Sequence, residues 1–169
     1  MALALAAGVV AFAASHRLDR RVVDAVEVGN PRSEAAHGYA GQDVTTGVAN
    51  GKPFRQTRGW LHYTLATYDD TQVSIACTFV DDGSATADRP RAVDIVVEDS
   101  VIATRTVTVT SRATAVVELD VPFAVTKGKT NIVVIVRARG GITPALRELR
   151  TIQDHHEVDL SLKLSGVFR

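Results

Sequence analysis

From Arg20 onward, apolar residues occur in short runs separated by glycine, proline, asparagine and aspartate. Runs of this length, rich in valine, isoleucine and threonine, are typical of β-strands rather than of amphipathic helices. The pattern predicts strands over residues 22–28, 60–66, 72–80, 92–98, 102–109, 115–121, 131–138 and 145–152. No segment shows a convincing helical period, so no helix is predicted.

The clearest alternation of apolar and polar positions lies around the single tryptophan, Trp60. Leu61, Tyr63 and Leu65 occupy every second position and are predicted to face the core. Successive side chains of a strand point to opposite faces, so Trp60 and His62 are expected on the opposite face.

Two further patterns refine the prediction of strands. Residues 104–110 alternate threonine with other residues, which predicts a strand with one buried and one exposed face. Residues 132–136 are apolar at every position, which predicts a central strand covered on both sides. Residues 29–59 are rich in glycine and poor in apolar residues, and are predicted to form a long loop that is functional or wrapped over a sheet edge.

The predicted fold is all-β. Eight strands suffice for a two-sheet antiparallel β-sandwich of the jelly-roll kind. The composition agrees, because the chain has 25 valines and 17 threonines but one methionine. At 169 residues the chain can bury one full core, which predicts a single globular domain.

The predicted domain spans residues 20–152, with a distinct segment on either side. Residues 1–19 begin with fourteen uncharged, apolar residues, which resemble a signal peptide or a stray segment of a longer protein. This run is too short to span a bilayer as a helix, so no membrane span is expected. Residues 153–169 are predicted to be a tail or an extra strand. Export, the cell surface and the cytoplasm all remain open as locations.

Charge and cysteine content exclude several classes of function. The 19 basic and 19 acidic residues balance, so no strong positive field is available for a nucleic-acid partner. A single cysteine, Cys77, cannot form an internal disulfide or a cysteine-based metal cluster. Its position in a predicted strand indicates a small buried apolar residue.

Motifs for catalysis, cofactors or metals are weak. Gly128-Lys129-Thr130 has the end of a phosphate-binding loop, but Phe123 stands where the first glycine is required. Residues 154–159 and the carboxylates of Asp81, Asp82 and Asp88 contain metal-ligand types, but a solvated tail and an ordinary turn account for them. We therefore predict no catalytic residue, no metal ion and no cofactor.

The richest local cluster for ligand binding surrounds the tryptophan: Arg55, Arg58, Trp60, His62 and Tyr63. Aromatic faces can stack on the apolar face of a sugar ring while planar donors bond its hydroxyl groups. This predicts a shallow carbohydrate site. The alternative is that Trp60 or Tyr63 belongs to the core.

A series of motifs resembles one known family, and the series covers about residues 20–152. The first half contains Val22-Val23-Asp24 before Gly29, Ser33-Glu34 with His37, Gly47, Arg55 and Gly59-Trp60-Leu61-His62-Tyr63. The second half contains Cys77-Thr78-Phe79 with Asp81 and Gly83, Val93–Glu98, Pro122, Lys127-Gly128-Lys129, residues 133–138 and residues 146–150. Their order resembles the β-sandwich domain that follows the catalytic domain in bacterial β-L-arabinofuranosidase-type glycoside hydrolases.

The resemblance implies a non-catalytic, substrate-binding accessory domain, because the family's catalytic machinery lies in a separate helical barrel. The implied partner is a glycan or a glycoside hydrolase catalytic domain. The predicted binding residues are Glu34, His37, Arg55, Trp60 and Asp81. Glu34 and Asp81 would accept hydrogen bonds from sugar hydroxyls, His37 and Arg55 would donate, and Trp60 would stack.

Two other hypotheses remain. The domain could be a structural module that docks to a partner domain or chain through exposed sheet surface without binding sugar. It could also be a small metal-dependent hydrolase that uses the Asp81 loop or the histidines of the tail.

Overall fold

The computed structural model describes residues 19–68, 71–84, 89–110 and 112–155. The strands are β1 (Asp19–Glu27), β2 (Ala40–Ala49), β3 (Lys52–Ala66), β4 (Val73–Val80), β5 (Arg91–Val97), β6 (Ser100–Val107), β7 (Thr114–Asp120), β8 (Asn131–Ala138) and β9 (Ala145–His155). The two helices are α1 (Pro31–Ala36) and α2 (Phe123–Thr126). None of the helices in these ranges has the length and apolar character needed to cross a membrane.

The strands form one nearly closed antiparallel sheet with two faces packed against each other. Its order is β6-β5-β8-β3-β9-β4-β7, with β1 paired to β9 and β2 paired to β3. Strand β3 links the two halves: residues 60–66 pair with β8, whereas Arg55 pairs with Leu146 of β9. The all-β sandwich prediction is confirmed.

The core lies between the two halves of the sheet. Side chains from both halves form a single cluster, including Val26, Tyr63, Phe79, Ile95 and Leu149, each with no exposed surface. Burial of this apolar surface is the main force that holds the sheet closed.

All eight predicted strands are present. Seven have ends within three residues of the prediction, whereas β3 begins at Lys52, eight residues before its predicted start. The inward positions predicted for Leu61, Tyr63 and Leu65 are confirmed, since each is fully buried. The prediction that residues 132–136 are covered on both sides is wrong. Strand β8 is central, but only its inner positions are buried, whereas Val133 and Ile135 remain partly exposed.

The prediction of a long loop over residues 29–59 is also wrong. This stretch contains α1, β2 and the first part of β3. Strand β2 is an edge strand whose side chains are mostly exposed, so it carries no apolar run. Glycine serves packing there, because a Cβ at Gly47 would lie 2.3 Å from Cζ of Phe54, its partner in β3.

The absence of a predicted helix is corrected at two short segments. Asn30 caps α1 by accepting hydrogen bonds from the backbone amides of Arg32 and Ser33 at 3.1 and 3.4 Å. Pro31 occupies the first turn, where its missing amide hydrogen carries no cost. Helices of six and four residues are too short to show a period in sequence.

Candidate functional site

The five residues predicted to bind sugar occupy three different places. Glu34 and Arg55 bond to each other under α1, and His37 caps the end of the same helix. Trp60 lies on the outer face of the sheet, and Asp81 lies in the loop after β4. The structure therefore does not bring all five together.

Glu34 is almost completely buried, with 3% of its surface exposed. Its Oε1 atom accepts hydrogen bonds from the Gly29 amide at 2.8 Å and the Tyr63 hydroxyl at 3.1 Å. Both carboxylate oxygens also accept from Arg55, each at 2.6 Å. Burial alone would raise the pKa of Glu34, but these hydrogen bonds outweigh it and hold the pKa below its ordinary value.

Arg55 is fixed on three sides. Besides its two bonds to Glu34, its Nη1 atom donates to Oγ1 of Thr46 in β2 at 2.6 Å. Its guanidinium carbon lies 4.4 Å from the centre of the Tyr39 ring, a cation–π contact. The hydrogen bonds to Glu34 raise the pKa of Arg55. This network ties α1 to β2 and β3.

His37 belongs to a second internal network, centred on Asp24 of β1. The Nε2 atom of His37 lies 3.1 Å from Oδ1 of Asp24, and its Nδ1 atom lies 2.6 Å from the Ser33 carbonyl. The other Asp24 oxygen accepts from the Ala66 amide at 2.7 Å. Burial would raise the pKa of Asp24, but these hydrogen bonds lower it. Asp24 and His37 thus fasten α1 to β1 and to the end of β3.

Trp60 has a different setting, on the outer face of β3. It is partly exposed. Its neighbour Leu61 is buried in the core, and successive side chains of a strand point to opposite faces, so the Trp60 side chain lies on the outer face. The register places it in a row across five strands, between Gln42 of β2 and Arg137 of β8, followed by Asp94 of β5 and Thr104 of β6. We call this row, Gln42, Trp60, Arg137, Asp94 and Thr104, the Trp60 face.

The polar end of the Trp60 face is organised by Asp94. Its side chain is only 8% exposed and accepts hydrogen bonds from Thr104 at 2.6 Å and from Arg137 and Arg139 at 3.1 Å each. The bond from Thr104, aided by the two arginines, outweighs burial and lowers the pKa of Asp94. Asp94 therefore stays ionised and holds two guanidinium groups at the surface.

The face of Trp60 combines an aromatic side chain with adjacent hydrogen-bonding groups. Cross-strand neighbours on one face have Cβ atoms about 5 Å apart, so the Trp60 indole and the half-exposed Arg137 side chain are adjacent. Trp60 is recognisable from the local sequence pattern, whereas Arg137 and Asp94 are not. They stand 77 and 34 residues from Trp60 in the chain, and only strand register, which local pattern does not reveal, brings them beside it.

Asp81 forms a turn rather than an open carboxylate. Its two oxygens accept hydrogen bonds from the backbone amides of Gly83 and Arg112 at 2.8 and 2.9 Å, and the bond from Arg112 contributes most to lowering its pKa. Together with Asn50 and Asp82 it lines a cavity of about 230 Å³ at the end of the β2–β3 hairpin.

The neighbouring carboxylate of Asp82 is bound more deeply. Its Oδ2 atom accepts from Gln56 at 2.7 Å and from Arg91 at 2.8 Å, and its Oδ1 atom accepts from the Ser84 amide at 2.9 Å. Burial would raise its pKa, but these bonds lower it. Within the described ranges, no three side chains of His, Cys, Asp or Glu gather as metal ligands. Asp88, His156 and residues 157–159 lie outside those ranges.

Several solved structures share this fold. The family 35 carbohydrate-binding module from Cellvibrio japonicus aligns with a TM-score of 0.52 and 15% identity over 73% of this chain and 94% of the module. An exo-β-1,3-galactanase from Phanerochaete chrysosporium, solved with β-1,3-galactotriose, gives a TM-score of 0.54 and 10% identity over 75% of this chain and 28% of the enzyme.

A third similar structure is a family GH115 4-O-methyl-α-glucuronidase with specificity for decorated arabinogalactans. It gives a TM-score of 0.55 and 11% identity over 82% of this chain and 18% of the enzyme. The chain thus spans nearly a whole carbohydrate-binding module but a minor part of either enzyme. At these identities the likeness establishes the fold.

Sequence comparison assigns the family. No curated protein matches the chain. The model of a family of unknown function, DUF6805, matches residues 17–152, which include every strand from β1 to most of β9. The chain therefore belongs to the DUF6805 family.

Proposed function

We propose that this domain binds carbohydrate without cleaving it, and that the sugar contacts the Trp60 face. The observation that carries the proposal is the partly exposed Trp60 indole beside Arg137 on the outer sheet surface. A sugar ring would stack on the indole through its C–H groups. Its hydroxyl groups would accept hydrogen bonds from Arg137 and exchange them with Gln42.

The fold supports this proposal. The module from Cellvibrio japonicus is a carbohydrate-binding module, and the galactanase holds a galactotriose. The module aligns with 73% of this chain, and the galactanase aligns with 75% of this chain over 28% of its own length. A sandwich surface of this kind needs no nucleophile or acid pair to hold a glycan, so the proposed activity is binding alone.

The same proposal gives different roles to the residues predicted from sequence. Trp60 contacts the sugar. Glu34, His37 and Arg55 hold α1 against β3, since their polar atoms bond to one another and to the chain. Asp81 shapes the loop after β4 by binding the Gly83 and Arg112 amides.

The resemblance of the motifs supports a proposal for the class of sugar. We propose glycans that contain arabinose or galactose, with the domain acting as an accessory to a glycoside hydrolase of the arabinofuranosidase type. The specificity of the GH115 enzyme for decorated arabinogalactans and the ligand of the galactanase support this class of glycan.

A second candidate function is docking to a partner domain. It is favoured by the outer face of β1, β9, β4 and β7, where Val22 and Val116 are 52% and 61% exposed. The same face carries ion pairs, such as that between Arg20 of β1 and Glu118 of β7 at 2.6 Å. A glycoside hydrolase catalytic domain is the partner that the resemblance implies.

The experiment is affinity electrophoresis of the whole chain in gels that contain arabinogalactan, arabinan, galactan or no glycan. We expect retardation in at least one arabinose- or galactose-containing gel and none for Trp60→Ala. Tyr68→Ala is the matched control, because Tyr68 is a 57% exposed aromatic residue outside the Trp60 face. Binding that persists in Trp60→Ala, or no binding to any glycan, would refute the proposal and favour docking.

A further inference from the structure

A cleft of about 510 Å³ opens at the ends of β5 and β8, and its charged lining is entirely basic among the described residues. Arg89, Arg91 and Arg139 contribute side chains, and Gly140 and Gly141 contribute bare backbone. We call this the arginine cleft. In a chain with 19 basic and 19 acidic residues, three arginines around one opening mark a local concentration of positive charge.

The three guanidinium groups differ in their exposure and in how many of their N–H donors are used within the protein. Arg91 is 12% exposed and is held by Asp82 at 2.8 Å, so it forms the fixed wall of the cleft. Arg139 is 60% exposed and uses Nη1 for Asp94 and Thr104, at 3.1 and 3.0 Å.

The remaining donors of the cleft point to a ligand. The Nε and Nη2 atoms of Arg139 have no hydrogen-bond partner in the part of the chain that the structure describes. Arg89 is exposed and makes no ion pair or hydrogen bond with a described residue. A guanidinium group presents a planar fork of donors that matches a carboxylate or a sulfate.

Among the residues that the structure describes, the acidic groups near the cleft leave an excess of positive charge. Asp94 is shared by Arg137 and Arg139, so this one carboxylate balances only one of two guanidinium groups. Asp82 balances Arg91. Arg89 adds a further positive charge, so the described residues around the cleft together attract an anion.

The cleft adjoins the Trp60 face through Arg139, which lines the cleft and donates to Asp94 and Thr104 of that face. Arg139 follows Arg137 by two residues, and its amide donates to the carbonyl of Ala92, two residues before Asp94 in β5. Two residues of a strand span about 7 Å, roughly the length of one sugar unit. A ring that stacks on Trp60 can therefore place a substituent of its neighbour at Arg139.

We infer that the arginine cleft binds the anionic substituent, a carboxylate or a sulfate ester, of an acidic glycan whose neighbouring ring stacks on Trp60. This inference rests on the proposed carbohydrate-binding function and specifies the class of glycan. Arg139 and Arg89 donate to the anion, and Arg91 holds the wall against which it lies.

The test is isothermal titration calorimetry of the whole chain with matched ligands. The carboxylate arm uses an arabinogalactan that carries glucuronic acid and the same glycan after carboxyl reduction. The sulfate arm uses a sulfated galactan oligosaccharide and its desulfated form. The variants are Arg89→Gln and Arg139→Gln, with Arg32→Gln as control, because Arg32 is an exposed arginine on α1 outside the cleft.

We expect one acidic glycan to bind at least about 10-fold more tightly than its neutral counterpart, the scale of a charge-assisted hydrogen bond. Each cleft variant should remove most of that difference, raised salt should weaken binding, and Arg32→Gln should change nothing. The arm that shows the preference identifies the anion.

The two proposals fail differently. Equal affinity for the acidic and neutral forms, with binding still lost in Trp60→Ala, overturns the arginine cleft and leaves carbohydrate binding intact. Preference for the acidic form that survives both cleft variants also overturns the cleft. No heat of binding with any of the four glycans overturns the proposed function and this inference together.

Discussion

The Glu34 carboxylate and the Arg55 guanidinium form two hydrogen bonds of 2.6 Å each, across 21 residues of chain. Their side chains are 4% and 18% exposed, so the pair is largely shielded from water. Glu34 also accepts from Tyr63 and Gly29, which completes the bonding of its carboxylate. The pair fixes α1 and the start of β3 to the sandwich.

Glu34→Gln should destabilise the domain by about 3 kcal/mol. The substitution removes the negative charge and leaves the largely buried guanidinium of Arg55 without its partner. Urea unfolding followed by circular dichroism measures the loss. The control is Glu118→Gln, whose ion pair with Arg20 is exposed and should be worth no more than about 1 kcal/mol. Equal losses for the two variants would contradict this account.

Stability should fall as the pH drops below about 4.5. The folded pKa of Glu34 lies below its ordinary value of 4.5, and those of Asp24 and Asp94 lie below 3.8. A lowered folded pKa adds stability that is fully present above the ordinary value and is lost as the pH falls towards the folded value. Unfolding at a series of pH values measures this slope.

The same pH series separates Glu34 from the other carboxylates. In Glu34→Gln the slope between neutral pH and about pH 3 should be shallower than in the parent chain, because one of the groups that bind protons on unfolding is gone. An unchanged slope would show that Glu34 does not contribute to acid sensitivity.

Short apolar runs, together with alternation of apolar and polar residues, were sufficient to predict most of the sandwich. Buried strands such as β4 and β5 carry runs of valine and isoleucine that satisfy the core, so the pattern is strong there. Strand β2 was missed because it is an edge strand, where exposed polar residues meet no requirement for burial. Helix α1 was missed because its cap, rather than its period, defines it.

Gly47→Ala should destabilise the domain by about 1–3 kcal/mol. The added Cβ would lie 2.3 Å from the Phe54 ring, which is 4% exposed and cannot retreat without disturbing Val80 and Ala145. A smaller side chain at residue 54 should relieve the overlap. The double variant Gly47→Ala with Phe54→Leu should therefore lose less stability than the sum of the losses in the two single variants. Strict additivity in chemical denaturation would contradict this packing argument.

Cys77 should not react with a thiol reagent in the native protein. Its side chain has no exposed surface, and burial raises the pKa of the thiol to about 12. The reactive thiolate is therefore scarce and shielded at neutral pH. Labelling with a chromogenic disulfide should require denaturant. Stoichiometric labelling of the folded chain within minutes would contradict the placement of Cys77 in the core.

The candidate site was less accessible to sequence reasoning than the fold. The alternation of side chains along β3 predicted that Trp60 lies on the outer face, and the structure confirms this. Arg137, Asp94 and Gln42 reach Trp60 only through strand register, which depends on bulges such as that between Gln42 and Val44. Motif spacing likewise grouped Glu34, His37 and Arg55 without revealing that they bond to one another and to Asp24.

Fluorescence of Trp60 reports directly on whether a sugar contacts this residue. Trp60 is the single tryptophan of the chain, so its emission reports on one site. Titration with arabinogalactan oligosaccharides should shift and saturate the emission, and Tyr68→Ala should give the same curve. Calorimetric binding without any change in Trp60 emission would place the glycan elsewhere, and the absence of both signals would contradict carbohydrate binding itself.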